Sequence, residues 1–105
     1  MIVDENYIIK QVLSGNKHAY ADIINTYKTP LYATVLRMTS NPQLAQDLVQ
    51  EAFIKIYEQL EHYKEGAFKS WLYRVAINHC IDELRKKQYS IKTEPLQDNQ
   101  LVETN

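Results

Sequence analysis

Residues 41–62 read Asn-Pro-Gln-Leu-Ala-Gln-Asp-Leu-Val-Gln-Glu-Ala-Phe-Ile-Lys-Ile-Tyr-Glu-Gln-Leu-Glu-His, and this stretch decides the fold. Asn41 is a favoured N-cap, and Pro42 suits the first helical position, where its missing N–H would have had no intrahelical partner. Leu44, Ala45, Leu48, Val49, Ala52, Phe53, Ile56, Tyr57 and Leu60 recur with a helical period and cover a wide arc that must be buried. The pattern predicts a helix over 42–62 whose apolar side needs partners.

The flanking sequence supplies them. Upstream, Asp4 as N-cap, the pairs Ile8/Ile9 and Val12/Leu13, and Gly15 at a left-handed C-terminal position predict a short first helix. Asn16 is then placed to cap a second helix carrying Tyr20, Ile23, Ile24, Tyr27, Leu31, Val35 and Met38 on one stripe. Pro30 interrupts that stripe without breaking its phase, which predicts one kinked helix. Downstream, Phe68, Leu72, Val75, Ala76, Cys80 and Leu84, with Ile77 beside them, mark a fourth helix ending near Lys87. The fold class is therefore all-α: a compact four-helix domain over 1–90 with a kinked second helix. A polar, acidic C-terminal tail over 91–105, containing Pro95 and no period, reads as a linker.

Composition narrows the function classes. In 105 residues there are two glycines and one cysteine, Cys80, which excludes a disulfide framework, a multi-cysteine zinc site and a glycine-rich phosphate loop. Residues 1–7 carry Asp4 and Glu5 where a secretory leader would be basic, and no apolar run approaches a membrane span. A soluble cytoplasmic protein without membrane insertion is the expectation. The formal net charge of −1 hides a segregation: residues 64–92 hold seven Lys or Arg against three acids, whereas residues 93–105 hold three acids and no base. A local cationic stretch of this kind attracts polyanions, or is simply a solvated face.

Two helix faces depart from ordinary amphipathic patterning. At about 100° per residue, Asp47, Gln50, Glu51, Ile54 and Glu58 share one outward arc of the third helix, an acidic strip with an apolar residue at its middle. Such a strip suits a basic partner surface, the apolar centre being desolvated and the rim charges setting orientation; the alternative is plain solvation. On the fourth helix, Trp71, Arg74, Asn78, Asp82 and Arg85 share the side opposite the core stripe, with Lys64, Lys69, Lys86 and Lys87 at its ends. Aromatic, cation and amide together are the parts of a single-stranded nucleic-acid surface, unless Trp71 merely fills the core edge. His18, His62 and His79 fall on three different elements with no ligand spacing, so no metal site is expected. Paired carboxylates on a convex strip offer no pocket for acid–base work, and His79 and Cys80, as helix neighbours, point about 100° apart; no catalytic residue is assigned.

The segment Asp47-Leu48-Val49-Gln50-Glu51-Ala52-Phe53, followed by Phe68-Lys69-Ser70-Trp71-Leu72-Tyr73-Arg74-Val75-Ala76-Ile77-Asn78, resembles bacterial RNA polymerase sigma factors, closest to the extracytoplasmic-function group. The stretch from Ala19-Tyr20 to Tyr27 and Leu31-Tyr32 agrees, and the likeness covers residues 7–90, the family's promoter-opening domain (region 2). It implies a module without cofactor or catalytic activity that binds core RNA polymerase and melts the promoter minus-ten element. Asp47, Gln50, Glu51, Ile54 and Glu58 would dock on the clamp helices of the β′ subunit. Lys64, Lys69, Ser70, Trp71, Arg74, Asn78, Arg85 and Lys86 would hold the non-template DNA strand, Glu65 being an acid inside that loop. The family also implies an anti-sigma partner covering the same surfaces and a second helical domain reading the minus-thirty-five element, for which the sequence past Ser90 shows no helical period. A helical adaptor that docks on a basic protein and ignores DNA is the rival reading.

Overall fold

A computed structural model describes residues 4–64 and 66–87. Four helices carry the fold: α1 (Glu5–Leu13), α2 (Tyr20–Thr39), α3 (Pro42–Gln59) and α4 (Phe68–Lys86). Single 3-10 turns at Lys17–Ala19 and Leu60–His62 precede α2 and follow α3. No strand occurs among the described residues. The tail expected over 91–105 and the last residues of the 1–90 domain lie outside them.

The caps act where the sequence places them. The Asp4 carboxylate accepts the N–H groups of Asn6 and Tyr7, and the Asn41 side chain accepts the N–H of Leu44 at 3.1 Å. Each satisfies a donor that has no partner inside its helix. Gly15 follows α1 at φ +112°, a conformation costly for any residue with a Cβ. Between α2 and α3 the chain reverses through Ser40 and Asn41 alone. Ser40 takes a left-handed φ of 57° while its N–H bonds back to Leu36 at 2.7 Å. The buried Thr39 hydroxyl accepts the Asn41 N–H and donates to the Asn41 carbonyl, which closes the turn. This tight junction fixes where α3 starts.

Helix α3 is the centre of the molecule, packed on α2 along one side and α4 along the other, while α1 lies against α2. Leu31 and Val35 of α2, Ala45, Ala52 and Ile56 of α3, Leu60 just after it, and Leu72, Ala76, Cys80 and Leu84 of α4 are fully buried. Alanines at 45, 52 and 76 keep side-chain bulk small on the two helices that meet in the middle. The Tyr20 hydroxyl donates to the Phe53 carbonyl at 2.6 Å, fastening α2 to α3 from inside, and burial beside Tyr57 pushes its phenol pKa upward. The Tyr27 hydroxyl similarly donates to the Glu5 carboxylate of α1. Helix α2 continues through Pro30, whose ring removes one backbone donor without ending the helix.

Four expectations need correction. Asn16 makes no capping hydrogen bond; its amide donates to Gln11 Oε1 at 3.5 Å instead, and α2 begins after a 3-10 turn. Leu13, paired with Val12 in the sequence pattern, is half exposed because α1 ends beneath it. Tyr57, assigned to the buried arc of α3, is 37% exposed, since it stands at the surface between α2 and α3 with its ring 5.1 Å from that of Tyr20. On α4, Ile81 is buried while Val75 and Ile77 are only partly so, which shifts the inner stripe toward Ile81.

Candidate functional site

All five residues of the acidic strip stand on the surface of α3. Asp47, Gln50, Glu51 and Glu58 are exposed, and Ile54 among them is 61% exposed, more than any other large hydrophobic side chain among the described residues. Gln43 reaches Asp47 at 3.5 Å from one turn upstream. Ile54 is not isolated: with Tyr20, Ile24, Gln50, Phe53 and Tyr57 it lines an apolar cleft of about 320 Å³ between α2 and α3. The sequence does not reveal the cleft, because four of its walls, Tyr20, Ile24, Phe53 and Tyr57, fall on the apolar stripes of α2 and α3. The acid strip therefore borders an apolar recess, an arrangement that takes a partner's aliphatic side chain and its neighbouring cations together.

The residues singled out on α4 separate into two groups. Trp71, Arg74, Asn78 and Lys86 come together in a groove of about 470 Å³ whose opposite wall is Lys55 and Gln59 of α3. Asp82 and Glu83 line it as well, so the cations of the groove are interrupted by acids. The Lys86 ammonium donates to Glu83 at 3.2 Å, and this contact holds the Glu83 carboxyl below its usual range. Lys64, Lys69, Ser70 and Arg85 are exposed but do not line the groove. Lys55, to which the sequence gives no role, does; no signal within α3 marks it, because the wall exists only where α3 faces α4.

Trp71 both packs at the edge of the core and lines the groove. Its ring stacks on Phe68 at 5.8 Å with a 26° tilt and meets Tyr63 at 5.4 Å, yet one side of it lines the groove. Tyr63 in turn packs edge-on against Phe68 at 5.1 Å, and its hydroxyl donates to the Gly66 carbonyl at 2.9 Å. The aromatic surface is thus backed by a rigid cluster and tied to the loop entering α4. Rigid rings of this kind lose little side-chain entropy when a planar ligand stacks on them.

The histidines do not converge. His18 is exposed on the turn before α2, and His62 sits beside its exposed neighbour Glu61 at 3.6 Å. His79 reaches across from α4 to Glu51 of the acidic strip, Nε2 to Oε1 at 3.2 Å. Cys80, next to it, points into the core, so the two do not form a nucleophile pair. No described helix is long and apolar enough to cross a membrane.

Comparison with known proteins identifies the family of this helical domain. Residues 23–89 match the family described as Sigma-70 region 2. Over 81 residues, 76% of this chain and 43% of the relative, the chain is 43% identical to the ECF RNA polymerase sigma factor SigW of Bacillus subtilis. It is 36% identical over 81 residues to the RNA polymerase sigma-H factor of Pseudomonas aeruginosa, covering 76% of this chain and 42% of that one. It is also 36% identical over 70 residues to the ECF RNA polymerase sigma factor SigM of Bacillus subtilis, covering 67% and 43%. The matches span a little under half the length of these relatives. Since the family match covers more than half of the chain and includes both decorated faces, the chain belongs to the Sigma-70 region 2 family, in its extracytoplasmic-function group.

Proposed function

We propose that this domain, over residues 1–90, serves transcription initiation by joining core RNA polymerase to the promoter minus-ten element and stabilising its open form. The acidic strip is the polymerase-binding face, with Asp47, Gln50, Glu51 and Glu58 meeting cations of the β′ clamp helices and Ile54 the apolar centre. The groove between α3 and α4 is the DNA face. Arg74 and Lys86 offer charge to phosphates, Trp71 a stacking plane and Asn78 an amide for a base edge, while Lys64, Lys69, Ser70 and Arg85 flank it. Work of this kind needs no bond chemistry. Unpairing a few base steps is offset by stacking and phosphate contacts, roughly 1–3 kcal/mol per stacked base, so opening follows from preferential binding to the unpaired strand. An anti-sigma protein masking these faces would keep the domain silent in the cytoplasm where polymerase resides.

The observation that carries this reading is the 61% exposure of Ile54 among exposed carboxylates, beside an apolar recess. A merely solvated face has no use for that arrangement. Binding of a labelled single-stranded minus-ten oligonucleotide, measured with and without core polymerase, is the test. A sequence-dependent affinity that strengthens on adding polymerase is expected. Polymerase binding without any oligonucleotide preference would leave a helical adaptor in its place.

A further inference from the structure

We propose that His79 is a positioning residue for the docking strip: from α4 it holds the Glu51 carboxylate of α3 in the orientation that a cationic partner meets. This rests on the docking role proposed for the strip. The contact is 3.2 Å between His79 Nε2 and Glu51 Oε1, with the His79 side chain 17% exposed and Glu51 51% exposed. A carboxylate can only accept, so the proton of this hydrogen bond is on Nε2. The geometry is asymmetric in a useful way. The imidazole is held in the packing between α3 and α4, whereas the carboxylate beyond it is half in water and swings freely unless tethered.

Tethering has two consequences. One carboxylate oxygen is engaged by the ring, and the other, with its lone pairs, remains open to a partner's ammonium or guanidinium. Glu51 also has a competitor one turn along α3, Lys55, at the spacing where glutamate and lysine pair on a helix surface. His79 keeps the carboxylate away from that cation, which leaves Lys55 to line the groove opposite Arg74. A glutamate already restricted to one orientation has less rotamer freedom to lose when the partner arrives.

The experiment uses the full chain and core RNA polymerase without DNA. Affinity is measured by fluorescence anisotropy for the parent, His79→Leu, His79→Asn, His79→Gln, Glu51→Gln and the Glu51→Gln/His79→Leu double variant, each verified as folded by circular dichroism. His79→Leu and His79→Asn, which remove the contact with opposite polarity, are each expected to weaken binding by about five-fold, the cost of immobilising one untethered glutamate side chain when the partner binds. His79→Gln, whose longer amide can still donate to Glu51, restores affinity to within about two-fold. In the Glu51→Gln background, His79→Leu adds no further loss. Equal losses from His79→Leu in both backgrounds, or parent-like affinity for Leu and Asn alike, overturn the positioning role alone. Parent-like affinity for Glu51→Gln overturns the docking reading itself, and this proposal with it.

Discussion

Cys80 has no contact with solvent on the inner side of α4, and burial, helped by the nearby carboxylates of Glu51 and Glu83, pushes its thiol up to about 12. The consequence for pH follows from comparing folded and unfolded chains. Below the ordinary value of 9.0 both hold the proton, and the thiol leaves stability unchanged. Between 9 and about 12 the unfolded chain releases it while the folded chain retains it, so stability falls as pH rises through that window. At pH 8, labelling by a thiol-reactive disulfide should therefore be slow and governed by opening of the fold, on the order of 10²-fold slower than in urea. Labelling at the unfolded rate would show that α4 does not hold this face inward. Asn41 provides a second test at this scale. Asn41→Ala removes the hydrogen bond to Leu44 and should cost about 1 kcal/mol, lowering Tm by roughly 4–8 °C in a domain of this size without altering the helix content at low temperature.

Single helices told most of their own story, and the exceptions have a common cause. The boundaries of α1 and α3 were legible because Asp4, Gly15, Asn41 and Pro42 act through local backbone chemistry that no tertiary contact overrides. A helical projection, however, contains no neighbouring helix. It puts Tyr57 in the core because its angle is right, although α2 leaves a cleft open to solvent beside it. It set His79 aside because its sequence neighbour Cys80 points elsewhere, although its real partner, Glu51, is 28 residues away on α3. Nor could it divide the cations of α4 into those that line the groove and those that do not, since Lys55 and Gln59 of α3 form the opposite wall. The groove's assignments predict different behaviour for different residues. Arg74→Ala should lower affinity for a single strand and flatten its dependence on salt by about 0.7 in the log–log slope, the signature of one lost phosphate contact. Asn78→Ala should leave that slope intact and reduce discrimination between minus-ten and scrambled sequences. Anisotropy titrations at several salt concentrations separate the two; identical effects on slope would mean that Asn78 does not read a base. Trp71→Ala is a poorer probe of DNA contact, because removing its stack on Phe68 also loosens the aromatic cluster.

At the scale of the molecule, α3 lies between α2 and α4 and presents opposite charge on neighbouring surfaces: carboxylates on its own outward strip, cations in the groove it shares with α4. Segregation of this kind excludes as well as attracts. On the proposed assignments the strip would repel the DNA backbone and the groove's cations a basic protein surface, so that each partner would be steered away from the other's face. Merging the charges should therefore harm specificity more than affinity for DNA. Reversing Asp47 and Glu51 together to lysine moves the formal net charge from −1 to +3 without touching a buried residue, so the fold should persist with an unchanged helical spectrum. Polymerase binding is expected to be lost. Affinity for a scrambled single strand, by contrast, should rise several-fold at about 50 mM salt and return toward the parent value at about 200 mM, where added phosphate contacts are screened. The ratio of minus-ten to scrambled affinity then falls at low salt. Were the ratio to hold while polymerase binding vanished, the strip would serve docking alone, and the sorting of partners would have to reside entirely within the groove.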